Sequence, residues 1–374
     1  MKRCLLIVLF CSVICTVNAA SDKPNVIMIY ADDLGKGMLS AYGQKHFTTP
    51  NIDALINGGV SFSRAYGSSM TPKARAALLT GYHDCNHLKW RISRGGAYSM
   101  DDMKLLDVNE SFLNDNDIPL EANDPYLPQV FKDAGYLTAQ IGMLGWGNTT
   151  TRKQMTMHGW SYYYGYLDHF RSQGYYPTFL FENGEMAKIE GNTRSDCGKG
   201  RTPENEQTYK ERWNMEGKHA YAPDSMLTKT LEFIRYFKDT PFFVLFSTQL
   251  PHGPVSIPSV HPEVANNDAL TPIEKEYASM VKLLDDQVGV IMAELRALGI
   301  EDNTIVIFTS DNGHEISYQQ QGRFEPPFSD VSTGERFDDS YFKYYGYKAG
   351  DVFNGNANLA GLKQSNLEGG IRVP

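Results

Sequence analysis

The chain has 374 residues, enough for one large domain or two smaller ones with a sizeable buried core. Its 44 acidic against 35 basic side chains leave a net charge of −9, which excludes a nucleic-acid binder and would repel anionic substrates at long range, so anion attraction has to be local. Candidates for that local patch are Lys73, Arg75, Lys89, Arg91 and Arg94.

Lys2 and Arg3, the apolar run from Cys4 to Val17, and Asn18-Ala19-Ala20 read as a secretory signal peptide over residues 1–20. The run is shorter than the ~20 residues that span a bilayer. The expected address is secreted or periplasmic, without a transmembrane segment in the mature chain. Outside this leader only Cys85 and Cys197 remain, and sequence gives no distance between them.

Asn25 to Tyr30 is a continuous apolar run, as in a strand covered on both faces. Pro50 opens a helix that Gly58-Gly59 ends. Arg75 to Thr80 reads as a short helix behind a turn containing Pro72. Leu127 to Ala134 is helical, and Leu137 to Ile141 is a strand. A helix from Pro223 to Phe237 leads into a strand over Phe242 to Phe246. Apolar residues at helical spacing mark Pro272 to Leu298 as the longest helix, and Thr304 to Thr309 is the next strand. Gln173 to Gly217 and Gln319 to Ala360 lack regular pattern and read as long loops around a site. Alternating strands and helices predict an α/β fold with a mostly parallel central sheet and helices on both faces.

Asp32-Asp33 follows the first strand and Asp311-Asn312 follows the last. Ligands in open α/β sheets gather beyond the carboxyl ends of strands. If those two strands are neighbours, three carboxylates and an amide converge, and a cation is the natural resolution of their repulsion. All-oxygen ligands favour Ca2+, with Mg2+ or Zn2+ behind it. Near the end, Lys363 and Glu368-Gly369-Gly370-Ile371 add a lysine and a Gly-Gly turn suited to an anion.

These segments, in this order, resemble the sulfatase family (arylsulfatase-like) of the alkaline phosphatase superfamily. The resemblance rests on Lys23-Pro24-Asn25-Val26, Ala31-Asp32-Asp33-Leu34-Gly35, Thr49-Pro50-Asn51-Ile52-Asp53-Ala54-Leu55 and Arg75-Ala76-Ala77-Leu78-Leu79-Thr80-Gly81. It continues through Tyr175-Tyr176-Pro177, Asn183-Gly184-Glu185, Pro251-His252-Gly253-Pro254, Asp285, Ser310-Asp311-Asn312-Gly313 and Lys363 with Glu368 to Pro374. The resemblance implies a sulfatase-like catalytic domain over residues 21–374. It also implies a smaller C-terminal subdomain, for which this sequence has no counterpart, so the domain reads as incomplete.

By the same resemblance, Asp32, Asp33, Asp311 and Asn312 would bind calcium. Arg75 would steady the catalytic residue. His252 and Lys363 would hold sulfate oxygens, with His252 as proton donor to the leaving alcohol. Two departures stand out. The family's formylglycine motif begins Cys-x-Pro-x-Arg or Ser-x-Pro-x-Arg, and counting back from Arg75 without a gap puts Thr71 at its head and Lys73 where proline belongs. Anchoring on Pro72 instead puts Met70 first with one inserted residue; Ser68 and Ser69 fit neither spacing. After the strand at Leu137, Met143 and Gly145 stand where the family carries Lys and His. Lys73 is a candidate to replace the charge missing at Met143.

Threonine has a single hydroxyl and cannot form the hydrated aldehyde through which formylglycine expels sulfate. The leading expectation is a secreted hydrolase of sulfate esters, acting on sulfated glycans with a calcium-centred site. The alternatives are an inactive sulfatase fold that binds sulfated sugars, and a Thr71-dependent phosphodiesterase or phosphatase.

Overall fold

A computed structural model describes residues 23–83, 126–144, 152–167, 171–194, 196, 206–316, 318, 324–325, 329–330 and 351–374. The leader at residues 1–20, Cys85, Cys197, Lys89, Arg91, Arg94 and Gly145 lie outside the described residues.

The strands are β1 (Asn25–Ala31), β2 (Ala65–Tyr66), β3 (Leu137–Met143), β4 (Tyr162–Tyr166), β5 (Phe179–Glu182), β6 (Glu185–Lys188), β7 (Phe242–Ser247), β8 (Thr304–Ser310), β9 (Phe324–Glu325), β10 (Ser329–Asp330) and β11 (Arg372–Val373). Seven form the central sheet in the order β6-β5-β4-β3-β7-β1-β8. Pairing is parallel from β4 through β8 and antiparallel only at the β4-β5 and β5-β6 edge.

The run Phe242-Phe243-Val244-Leu245-Phe246 is apolar at every position because β7 is buried on both faces. Period-2 alternation sends Ile27, Ile29, Val244 and Phe246 to one core, with Phe233 of the helix Ala222–Phe237 and Val288 and Ile291 of the helix Pro272–Ala297. Val26, Tyr30, Phe243 and Leu245 face a second core, with Ala76 and Leu79 of the helix Thr71–Thr80 and Phe131 of the helix Leu127–Asp133. Phe131 stacks on Phe243 at 4.1 Å between ring centroids. Helices therefore cover both faces, as the alternating pattern predicts. Among the described residues, no helix is long and apolar enough to cross a membrane.

Three local readings change. The helix expected from Arg75 begins at Thr71, so Pro72 lies in its first turn, where a missing N–H leaves no intrahelical bond unmade. The supposed loop from Gln173 contains the β5-β6 hairpin and the helix Glu206–Arg212. Its turn is Asn183-Gly184, both at positive φ (52° and 87°), the pairing that a two-residue hairpin demands. The Gly-Gly turn is a packing device. A Cβ on Gly369 would collide with the Gly361 carbonyl, and one on Gly370 with the Ser365 carbonyl. The Gly369 and Gly370 N–H groups donate to Ala360 and Leu367 carbonyls, so neither is left for an anion.

Candidate active site

β1 and β8 are parallel neighbours with Ala31 opposite Ser310, so Asp32 and Asp311 leave the sheet side by side. The Asp33 N–H donates to Asp311 Oδ1 at 3.0 Å, and the Leu34 N–H to Ser310 Oγ at 3.0 Å. Asn312 Nδ2 donates to Asp33 Oδ1 at 2.8 Å. Asp33 adopts φ 65°, a left-handed conformation uncommon for non-glycine residues. The Asp32 N–H is held by the Leu250 carbonyl at 3.0 Å, which ties the turn to the segment leaving β7.

That segment carries His252. Tyr175, stacked on Tyr221, donates its hydroxyl to the carbonyls of His252 (2.5 Å) and Gln249 (3.1 Å). Gln249 Nε2 in turn donates to the Ser172 and Gly174 carbonyls at 3.0 and 2.7 Å. The imidazole Nδ1 faces the Gly253 carbonyl, so Nδ1 carries the hydrogen. Nε2 is then the acceptor for the Lys363 ammonium at 3.1 Å.

Thr71 opens its helix with its hydroxyl inside the cluster, donating to Asp32 Oδ1 at 2.9 Å and lying 3.4 Å from Asn312 Oδ1. Arg75 is one helical turn further along the same face. Its guanidinium lies 3.4 Å from Asp32 and 4.0 Å from Asp311, and NH1 donates to the Met143 carbonyl and to Ser247. Lys73 projects about 200° round the helix from Thr71, which does not aim it at Met143. Met143 itself is buried, with its sulfur accepting from Ser172 Oγ at 2.6 Å.

Lys363 is delivered by the loop that Gly369 and Gly370 pack down. Its ammonium meets Asp33 Oδ1 (2.8 Å) and Oδ2 (2.9 Å) and Glu315 Oε2 (3.3 Å). The Lys363 N–H donates to the His314 carbonyl at 3.0 Å. His314 also fixes this loop through its side chain: Nε2 lies 2.8 Å from the Tyr318 hydroxyl, which donates to Asp351 Oδ1 at 2.6 Å. Sequence reading missed Glu315, Tyr175 and Asp351. Glu315 follows the Asp311-Asn312-Gly313 motif by two residues, which was the available signal.

The structure thus brings Thr71, Arg75, His252, Lys363, Asp32, Asp33, Asp311 and Asn312 into one cluster, with exposures between 0% and 7%. Burial and the Asp311 charge push the Asp32 carboxyl well above the usual carboxylate range. Burial likewise raises Asp33 to about 8, with Glu315 and Asp311 adding to burial and Lys363 opposing it. Burial draws Lys363 down, but Asp33 and Glu315 outweigh it and hold the ammonium above the ordinary lysine value. Asp32, Asp33 and His252 each offer a ligand atom within 4.8 Å of one another. Asp311 Oδ2 is buried without a hydrogen-bond partner. Repelling carboxylates, a buried carboxylate oxygen that accepts no hydrogen bond and hard oxygen donors fit a divalent cation.

A curated N-acetylgalactosamine-6-O-sulfatase from Bacteroides thetaiotaomicron is 30% identical over 345 residues, covering 80% of this chain and 61% of that protein. The human N-acetylgalactosamine-6-sulfatase is 27% identical over 319 residues, covering 83% of this chain and 54% of the relative. The chain therefore spans between about half and three fifths of the length of these relatives. A solved structure from work on glycosaminoglycan metabolism by B. thetaiotaomicron, 23% identical, superposes with a TM-score of 0.63 over 95% of this chain and 71% of that one. The Sulfatase family model matches residues 24–374. With that match over nearly its whole length, the chain belongs to the sulfatase family.

Proposed function

We propose that this chain is a secreted sulfatase-family hydrolase of glycan sulfate esters, centred on calcium held by Asp32, Asp33, Asp311 and Asn312. The names of the relatives make 6-sulfated N-acetylgalactosamine the first substrate to try. The observation that carries the reading is the position of the Thr71 hydroxyl, 2.9 Å from Asp32 Oδ1 inside a cluster completed by Lys363 and His252. When bound, the ion would neutralise the carboxylates and polarise a sulfate oxygen.

The residues divide the remaining tasks. Lys363 and Arg75 supply positive charge to an anion in a buried setting where each such contact is worth ~3 kcal/mol. His252 accepts from the Lys363 ammonium at Nε2, so it would take up a proton there before passing it to the leaving alcohol, while Lys363 keeps its charge for the anion. Thr71 occupies the head of the motif at the first position of its helix.

A second reading is binding of sulfated sugars without turnover. It is favoured by Thr71, which has one hydroxyl, and by the thioether of Met143 standing where a cationic side chain is expected. The third, a Thr71-dependent phosphodiesterase, calls for a second metal. Among the described residues, the group of His, Cys, Asp and Glu side chains that could hold an ion is Asp32, Asp33 and His252, which overlaps the calcium ligands rather than adding a separate site.

The test is an assay of the secreted chain, with calcium, on aryl sulfate, aryl phosphate, a phosphodiester and 6-sulfated oligosaccharide. Sulfate release that is lost in Thr71→Ala supports the hydrolase. Calcium-dependent binding without release supports the binding reading. Sulfate release that survives Thr71→Ala removes Thr71 from the mechanism, and mass spectrometry of its peptide shows any modification.

A further inference from the structure

We infer that Glu315 is a specificity-determining residue that makes this site prefer monoanionic sulfate esters to dianionic phosphate esters. The inference rests on the anion-site reading above. Four buried carboxylates, Asp32, Asp33, Asp311 and Glu315, face two buried cations, Arg75 and Lys363. A divalent cation in the cluster balances that excess to neutrality. Glu315 touches the converging set at Asp33, whose carboxyl it hydrogen-bonds, and lies 3.3 Å from the ammonium of Lys363, the residue that would meet the anion.

The ammonium has three N–H donors. Its neighbours are Asp33, Glu315 and His252 Nε2, so every direction is taken. An ion held by Asp33 would release that direction for an ester oxygen, while Glu315 stays on the same nitrogen. Two acceptors on one tetrahedral ammonium, at about 2.8 and 3.3 Å, sit about 5 Å apart. At that separation in a buried site, a second negative charge on the ester is disfavoured by up to about 100-fold relative to a single charge. A neutral side chain at position 315 would leave the loaded site one charge more positive and remove the penalty.

The experiment measures calcium-loaded equilibrium binding of 4-nitrophenyl sulfate and 4-nitrophenyl phosphate at pH 8 by calorimetry, with Thr71→Ala throughout to block turnover. Glu315→Gln is expected to raise phosphate affinity at least about tenfold relative to sulfate affinity. Glu315→Asp, which keeps the charge, is expected to keep the original ratio. An unmoved ratio in Glu315→Gln, or an equal shift in Glu315→Asp, overturns the inference while leaving the functional reading intact. Absence of binding for both esters in every variant overturns the functional reading, and this inference falls with it.

Discussion

Replacing Lys363 with methionine removes the cation that Asp33 and Glu315 share, and keeps most of the volume. At an effective dielectric of about 20, each carboxylate contact near 3 Å is worth roughly 5–6 kcal/mol of Coulomb attraction, before desolvation is subtracted. Removing one partner of a buried ion pair leaves an uncompensated charge, with measured losses of about 3–5 kcal/mol. Lys363→Met is therefore expected to lose about 3–5 kcal/mol in urea denaturation with EDTA present. With saturating calcium the loss should fall to about 2 kcal/mol, because the ion takes over the Asp33 charge and leaves Glu315 as the orphan. A loss below about 0.5 kcal/mol in EDTA, the range of an ordinary surface substitution, would refute the reasoning and return Lys363 to the solvent.

Tyr175→Phe deletes the hydroxyl that holds the His252 and Gln249 carbonyls, and should lower stability by about 1–3 kcal/mol in the same assay. Asp53 accepts from Ser40 Oγ, the Ala41 N–H and Thr49 Oγ1 at 2.6, 3.1 and 2.9 Å, and Asp53→Ala should lose about 1–2 kcal/mol by thermal melting. His158, stacked on Tyr126, is pushed down from 6.5 to about 4 by burial. Its folded value lies below its unfolded one, so its contribution is complete above about pH 6.5 and is lost as pH falls toward 4. That contribution is about 3 kcal/mol, and His158→Phe should show a correspondingly shallower acid dependence of the denaturation midpoint.

The central strands were legible because parallel strands buried on both faces leave uninterrupted apolar runs, as Val26 to Tyr30 and Phe242 to Phe246 do. The pairing of Asp32 with Asp311 was legible only conditionally. Adjacency of β1 and β8 is a long-range fact, separated by more than 270 residues, that no local pattern encodes. The β5-β6 hairpin was missed although Asn183-Gly184 announces it, because the polar stretch around it reads as loop. Glu315 escaped notice because a lone glutamate after a motif looks solvated. Its partner, Lys363, arrives from 48 residues away along the chain. The Gly369-Gly370 pair was misread because glycine marks both anion nests and close backbone packing, and only the neighbouring carbonyls distinguish the two.

The most direct measurement is calcium titration calorimetry on the parent chain, on Asp32→Asn and on Asp311→Asn. These two variants alter opposite ends of the sequence that the fold joins. The account predicts one ion per chain and a loss of roughly 100-fold in affinity in each variant. Calcium affinity unchanged in either variant, or no binding by the parent chain, would contradict it.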